Sequence, residues 1–349
     1  MPVMLTHDTS IDYDVHGDGP FLLLINGLGF GRWAWFKQVP TLSRHFRTIT
    51  FDIRGEHSLS HGVADLCAEV VALLDHLGVE KAHVLGTSLG GFVAQKLALE
   101  RPDLVDRLVL VCTSYGAREP QPMSFQALGK MLGGGSLSPE TAARQGLEGA
   151  TSDSYRAEHP EEFDLILRWR LADSSSLSDY YQQMMAGTRF DAAFAVRNIA
   201  SPTLVIHGTE DLYVPVANAT ALAEAIPDAT LRVIDYAGHL IFIEQAEEVN
   251  DEIISFLEPF ERKPSWRLPV EQKTKKLIQQ AGETSGKVVS VFKSRDPRET
   301  DNTHTAQITQ EPPAEEQGRP TVRKLKGWLQ RPARITGAWS GKLRGWFSR

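Results

Sequence analysis

Gly86-Thr87-Ser88-Leu89-Gly90 lies between two segments of different periodicity. Ala82-His83-Val84-Leu85 precedes it and reads as a buried strand, and Phe92–Leu99 follows with helical spacing. A chain that changes from strand to helix within five residues has few conformations open to it. The pattern predicts a sharp turn with Ser88 at its apex and the hydroxyl standing beyond the carboxyl end of the strand. Gly86 and Gly90 remove side chains that would collide with the strand or the helix. Gly91 lets the new helix lie close to what is beneath it.

The surrounding chain alternates in the same way. Phe21–Ile25, Thr48–Phe51, Lys81–Leu85, Leu108–Cys112, Thr203–His207 and Leu231–Asp235 read as strands. Val63–Leu77 reads as one of the helices between them. This alternation predicts an α/β fold, a mostly parallel sheet with helices on both faces. From about 115 to 198 the pattern changes to helices alone, over Ala127–Leu132, Pro139–Gly146, Glu161–Leu171 and Leu177–Met185. That stretch reads as a helical cap inserted over the sheet. Its apolar side chains include Phe125, Leu128, Met131, Phe163, Ile166, Trp169, Tyr181 and Met184. Most are expected to pack the cap down, and a few to line a substrate pocket.

In such sheets, functional groups gather beyond the carboxyl ends of the strands. A serine hydroxyl is a weak nucleophile near neutrality, and needs a base that is itself oriented by a third group. His239 follows the last strand, within Ala237-Gly238-His239-Leu240, and is the expected base. Asp211 follows the strand before it and is the expected orienting acid, with Glu210 as the alternative. The chain order Ser88, Asp211, His239 is the order for strand-borne triads of this kind. The oxyanion formed on attack needs backbone donors that are already aimed. Leu89 N–H is expected to supply one and Leu28 N–H the other. Leu28 sits in Asn26-Gly27-Leu28-Gly29, directly after an early strand. No phosphate loop or metal-ligand spacing occurs, so neither a cofactor nor a metal is expected.

With these residues in view, the chain resembles the α/β-hydrolase superfamily, in its branch of small capped esterases, lactonases and serine perhydrolases. Asn26–Gly29, Asp52-Ile53-Arg54-Gly55, Gly86–Gly91, Pro202–Asp211 with Val214-Pro215, and Gly238-His239 with Glu244 carry the resemblance over residues 10–260. Two positions depart from the family pattern. Asn26 stands where the oxyanion loop usually begins with His, and the segment after Gly55 looks shortened. The resemblance implies two-step acyl transfer on a small or medium apolar ester, with lactone, thioester or perhydrolase chemistry as close competitors. A serine nucleophile argues against carbon–halogen displacement. A non-catalytic binding protein on the same fold is the alternative of another class.

Charge divides the chain. Residues 1–262 carry 19 Lys and Arg against 36 Asp and Glu, whereas residues 263–349 carry 18 against 8. Residues 284–318 read as a low-complexity linker rich in Thr, Glu, Gln and Pro. From Arg323 to Arg349 there are eight basic residues and no acid, interleaved with Trp328, Trp339, Trp346 and Phe347. This reads as an amphipathic tail for an anionic membrane surface. A protein partner is the main alternative, and nucleic acid a weaker one. Gly337, Gly341 and Gly345 weaken any helix there. Cys67 and Cys112 lie in apolar runs without paired spacing and read as reduced packing residues. No leader pattern or spanning segment is evident, so a cytoplasmic protein is expected, peripheral on a membrane's inner face if the tail binds there. Oligomeric state is not legible.

Overall fold

The computed structural model describes residues 3–5, 10–52, 62–133, 138–172 and 177–258. The chain divides into two units, Met1–Arg267 and Leu268–Arg349, and every described residue belongs to the first. The linker and tail assigned from sequence lie outside the described residues, as do Ile53, Arg54 and Gly55.

Strands β1 (Val3–Leu5), β2 (Ser10–His16), β3 (Phe21–Ile25) and β4 (Arg47–Phe51) come first, with the short helix α1 (Val39–Leu42) before β4. Then follow α2 (Val63–His76), β5 (Ala82–Thr87), α3 (Leu89–Glu100) and β6 (Val105–Val111). The chain next leaves the sheet for α4 (Phe125–Met131), α5 (Pro139–Ala150), α6 (Asp153–Glu158), α7 (Pro160–Ala172) and α8 (Leu177–Arg189). It returns through β7 (Thr203–Gly208), α9 (Val216–Ala225), β8 (Ala229–Ile234), α10 (Ile241–Glu244) and α11 (Ala246–Leu257).

The strands form one eight-stranded sheet in the order β1-β2-β4-β3-β5-β6-β7-β8. β1 and β2 are antiparallel to their neighbours, and the rest run parallel. Helices cover both faces, as the alternation predicts. Central strands are buried on both sides, which is why they read as continuous apolar runs: all six residues of β5 and of β7 are buried. β2 has only one buried face and alternates, with Ile11 and Tyr13 inward. Along α2, Val63, Leu66, Cys67, Val70, Leu73 and Leu74 form the buried stripe that a helix on a sheet requires. Cys67 and Cys112 are buried and unpaired.

The cap helices start on built caps. Ser124, Ser138 and Ser152 have extended backbone, and their hydroxyls accept from Ala127 N, Thr141 N and Tyr155 N. Parallel register fixes what meets at the sheet's carboxyl rim. Ile25 pairs with Gly86, so the Asn26–Gly29 loop emerges beside the turn at Ser88. Gly208 pairs with Ile234, so the loops after β7 and β8 emerge together, and Glu210 N donates to Ala237 O at 2.9 Å.

Candidate active site

Ser88 sits between β5 and α3 with φ +51° and ψ −118°, a conformation that side-chain-bearing residues rarely adopt. The turn is held on several sides. Ser88 N donates to Val111 O at 3.0 Å. Ser88 O accepts from Gly91 N at 2.9 Å and from Thr113 Oγ1 at 2.8 Å. The flanking glycines are required by contact. A Cβ at Gly86 would overlap Gly90 O, and one at Gly90 would overlap the carbonyls of Ile25 and Asn26. At Gly91 it would stand 2.6 Å from Thr113 Oγ1.

His239 and Asp211 meet in the next loops. His239 Nδ1 lies 2.8 Å from Asp211 Oδ2, and both residues are buried. Asp211 Oδ1 accepts from Tyr213 N and Val214 N, each at 2.9 Å. Burial by itself would raise this carboxyl's pKa. The His239 and His207 imidazoles and their hydrogen bonds outweigh it and hold Asp211 well below the usual carboxylate range. Tyr213 closes one side, its ring edge-on to His239 at 5.5 Å and its hydroxyl donating to Gly146 O at 2.7 Å. Glu210, the alternative acid, is exposed, and only its backbone N–H ties into this rim.

Ser88 and His239 line one small cavity of about 60 Å³, together with Asn26, Gly27, Leu28 and Thr87. A second cavity, of about 210 Å³, also borders Ser88 and is lined by Leu89, Phe92, Met123 and Met184 among others. Ser88, Leu28, Met131 and Tyr213 border both. Gly27 and Gly29 shape the loop that carries Leu28. A Cβ at Gly27 would be 3.1 Å from Ser88 Cβ, and Gly29 has φ +69°. Asp52 Oδ1 accepts from Arg32 N at 2.8 Å, pinning the far end of that loop. Leu89 is the first residue of α3, where amides have no carbonyl behind them within the helix. Asn26 is buried, and its Nδ2 donates to Phe51 O at 3.3 Å, so it ties β3 to β4 while lining the small cavity. Of the cap's apolar residues, Met131 and Met184 face the cavities. Phe163 and Ile166 are core, Trp169 packs on Trp33 and Phe36, and Phe125 is exposed.

Three contributors were not read from the sequence. His207, at the end of β7, directs Nε2 to Val214 O at 2.7 Å and lies 3.3 Å from Asp211 Oδ2. Glu244 is assigned above only by resemblance. Its carboxylate accepts from Gly238 N and from Ser152 N, joining the His239 loop to the cap. Arg170 reaches into the small cavity from α7. Ligand atoms of Cys112, His207 and Asp211 lie within 4.8 Å of one another. Their geometry is that of a hydrogen-bonded cluster. The carboxylate's four acceptor positions are occupied by two amides and two imidazoles, the Nε2 of His207 faces a carbonyl and so carries a proton, and burial raises the Cys112 thiol.

A family model for the alpha/beta hydrolase fold matches residues 20–246. The chain belongs to the α/β-hydrolase family and is a hydrolase with a small-molecule substrate. A relative from Agrobacterium fabrum, named RutD for carbamate hydrolysis, is 28% identical over 257 residues, 71% of this chain and 98% of its own length. The enol-lactonase of Burkholderia xenovorans superposes with a TM-score of 0.66 at 26% identity, covering 73% of this chain and 99% of that one. Est816, described as an N-acyl homoserine lactone degrading enzyme, gives 0.63 at 26% identity over 73% of this chain and all of its own. Among the described residues, no helix is long and apolar enough to cross a membrane.

Proposed function

We propose that this hydrolase cleaves a carboxylic ester of small to medium size through an acyl-enzyme on Ser88. One observation carries the reading. Ser88, in its strained turn, borders the same cavity as His239, whose far nitrogen is 2.8 Å from the buried Asp211 carboxylate. In the first step, His239 Nε2 takes the Ser88 proton as Oγ bonds to the ester carbonyl carbon. The Leu28 and Leu89 amides stabilise the oxyanion. Collapse of the tetrahedral species breaks the acyl–oxygen bond, and His239 returns the proton to the leaving alcohol. Water, activated by the same imidazole, then releases the acid. Asp211 keeps the proton on Nδ1, so that Nε2 can accept. Restricting a neutral imidazole to that tautomer is what the carboxylate adds.

A fluorophosphonate probe tests the nucleophile. The full chain should be labelled at Ser88, and S88A should be neither labelled nor active on 4-nitrophenyl butyrate. A folded wild-type protein that escapes labelling would favour a non-catalytic role for the fold. A lactone is the second reading, supported by the two similar structures described as lactone-cleaving enzymes. The chemistry is the same acyl–oxygen cleavage, and the two products stay in one molecule.

The reading extends to residues 323–349 as a tether to an anionic membrane surface, resting on their eight basic residues and interleaved Trp. Each basic residue near such a surface is worth about 1 kcal/mol. Flotation with phosphatidylserine vesicles tests it: the full chain should float, and a chain ending at residue 318 should not.

A further inference from the structure

The two cavities beside Ser88 differ in charge. Arg170 is the cationic side chain of the smaller one, and no Asp or Glu lines that cavity. Its guanidinium lies over the Phe30 ring at 4.8 Å and 6.0 Å from the Tyr180 ring centre. A Cβ at Gly29 would be 3.4 Å from Arg170 Nη2, and one at Gly146 would be 4.0 Å away, so the cation hangs over the loop that carries Leu28. Two observations mark it as a recognition group. First, nine other Arg and Lys side chains of the described residues form ion pairs, among them Arg144 on the adjacent α5. Arg170 has aromatic neighbours and no carboxylate partner among the described residues. Second, the larger cavity has the opposite character. It is lined by Met123, Met131, Met184 and Phe92, and its one acidic residue is Glu119. An ionised Glu119 repels a carboxylate placed beside it, and the cavity holds no Arg or Lys to offset it.

The geometry points to a substrate with two unlike arms about its scissile carbonyl: a carboxylate arm bound by Arg170 in the small cavity, and an apolar arm in the large one. This rests on Ser88 being the nucleophile and adds the substrate's charge. A planar guanidinium suits a carboxylate because it can donate two parallel N–H bonds. Phe30 backs the guanidinium plane at 4.8 Å without competing for its donors, and the Tyr180 hydroxyl engages one of the five N–H groups, leaving the others for a ligand. The small cavity, at about 60 Å³, has room for a carboxylate-sized group.

The test uses the full chain and half-esters of succinic, glutaric and adipic acid, each as the 4-nitrophenyl ester with the distal carboxyl free or methylated. For at least one length, the wild type should favour the anionic ester in kcat/KM by about tenfold to a hundredfold. R170Q should remove that ratio, and R170K should keep part of it as a point charge. R168Q, on the exposed side of the same helix, should keep all of it. Using the ratio cancels any general loss of activity. A ratio equal in the wild type and R170Q, or lost equally in R168Q, overturns the inference while ester cleavage stands. If the wild type cleaves neither ester, the ester reading fails and binding decides the rest. Calorimetry of S88A with glutarate and with neutral glutaramide should then show carboxylate-selective binding that S88A/R170Q lacks. Equal binding in both variants, or none in either, would overturn the anion site too.

Discussion

Glu244 Oε2 accepts a hydrogen bond from Ser152 N at 3.0 Å, joining the loop that carries His239 to the start of a cap helix. The same carboxylate accepts from Gly238 N at 3.2 Å, one residue before the imidazole. Its neighbourhood is tight: a Cβ on Gly238 would be 3.0 Å from Glu244 Oε1 and from Ser152 N. Replacing Glu244 with Ala strands two amides, each costing about 1–3 kcal/mol if it stays buried. E244A should therefore melt several degrees lower, since about 2–4 °C accompanies each kcal/mol in a domain this large. It should also lose kcat more than it raises KM, because the imidazole loses its bearing. E244Q, which keeps an acceptor oxygen, should fall between. Thermal melts paired with steady-state kinetics check this, and a variant identical to wild type in both would remove the latch.

Asp211 gives a pH dependence with a definite sign. Its folded pKa is depressed by the His239 and His207 imidazoles, while an unfolded Asp titrates near 3.9. A depressed carboxyl contributes stability that is fully present above the unfolded value and is lost as pH falls through the folded one. D211N replaces the carboxylate with a neutral group of the same shape. Its deficit in urea denaturation should be on the order of 1–3 kcal/mol at pH 7 and should shrink below about pH 4. A deficit that stays constant from pH 7 to pH 3 would contradict this.

The parallel strands were legible because burial on both faces leaves an uninterrupted apolar run. β3 came out at Phe21–Ile25 as read, and β7 exceeded its reading by one glycine. The two antiparallel strands were not read. β2 mixes Asp12 and Asp14 with Ile11 and Tyr13, and one-sided burial in seven residues is a weak signal. His207 sits in a strand whose six residues are all buried, so nothing along the chain separates it from packing. Arg170 was illegible for another reason. Its helix carries two arginines, Arg168 and Arg170, and only the docking of α7 over the Gly29 loop decides which one meets the cavity. The loops after β7 and β8 could be read because strand order alone sends them to the same rim.

The turn at Ser88 should tolerate no side chain at Gly86 or Gly90. Both built Cβ positions overlap backbone atoms, which cannot rotate away. Overpacking of this kind costs about 1–3 kcal/mol, and more where only backbone can yield. G86A and G90A should each lower the melting temperature and cut fluorophosphonate labelling of Ser88 by displacing the turn. Gly129, with open space around its built Cβ, is the internal control. G129A should melt at or slightly above the wild-type temperature, since Ala is favoured over Gly within a helix by about 1 kcal/mol.

Chain-length selectivity should follow Met184. It projects from α8 into the larger cavity, opposite Leu89 and Phe92 of α3. A thioether side chain is flexible and fills a gap without fixing its shape. Trp in its place would occupy much of a space of about 210 Å³. For the apolar arm, each buried methylene is worth about 0.8 kcal/mol, so every carbon excluded from the cavity should cost severalfold in kcat/KM. M184W should retain turnover of acetyl esters and lose it progressively from butyryl to octanoyl, whereas M184A should shift the optimum to longer chains. Kinetics on a graded series of 4-nitrophenyl esters measure the slope directly. If both variants follow the wild-type slope, the apolar arm lies elsewhere, since a change of this volume beside Ser88 cannot leave a bound chain unaffected.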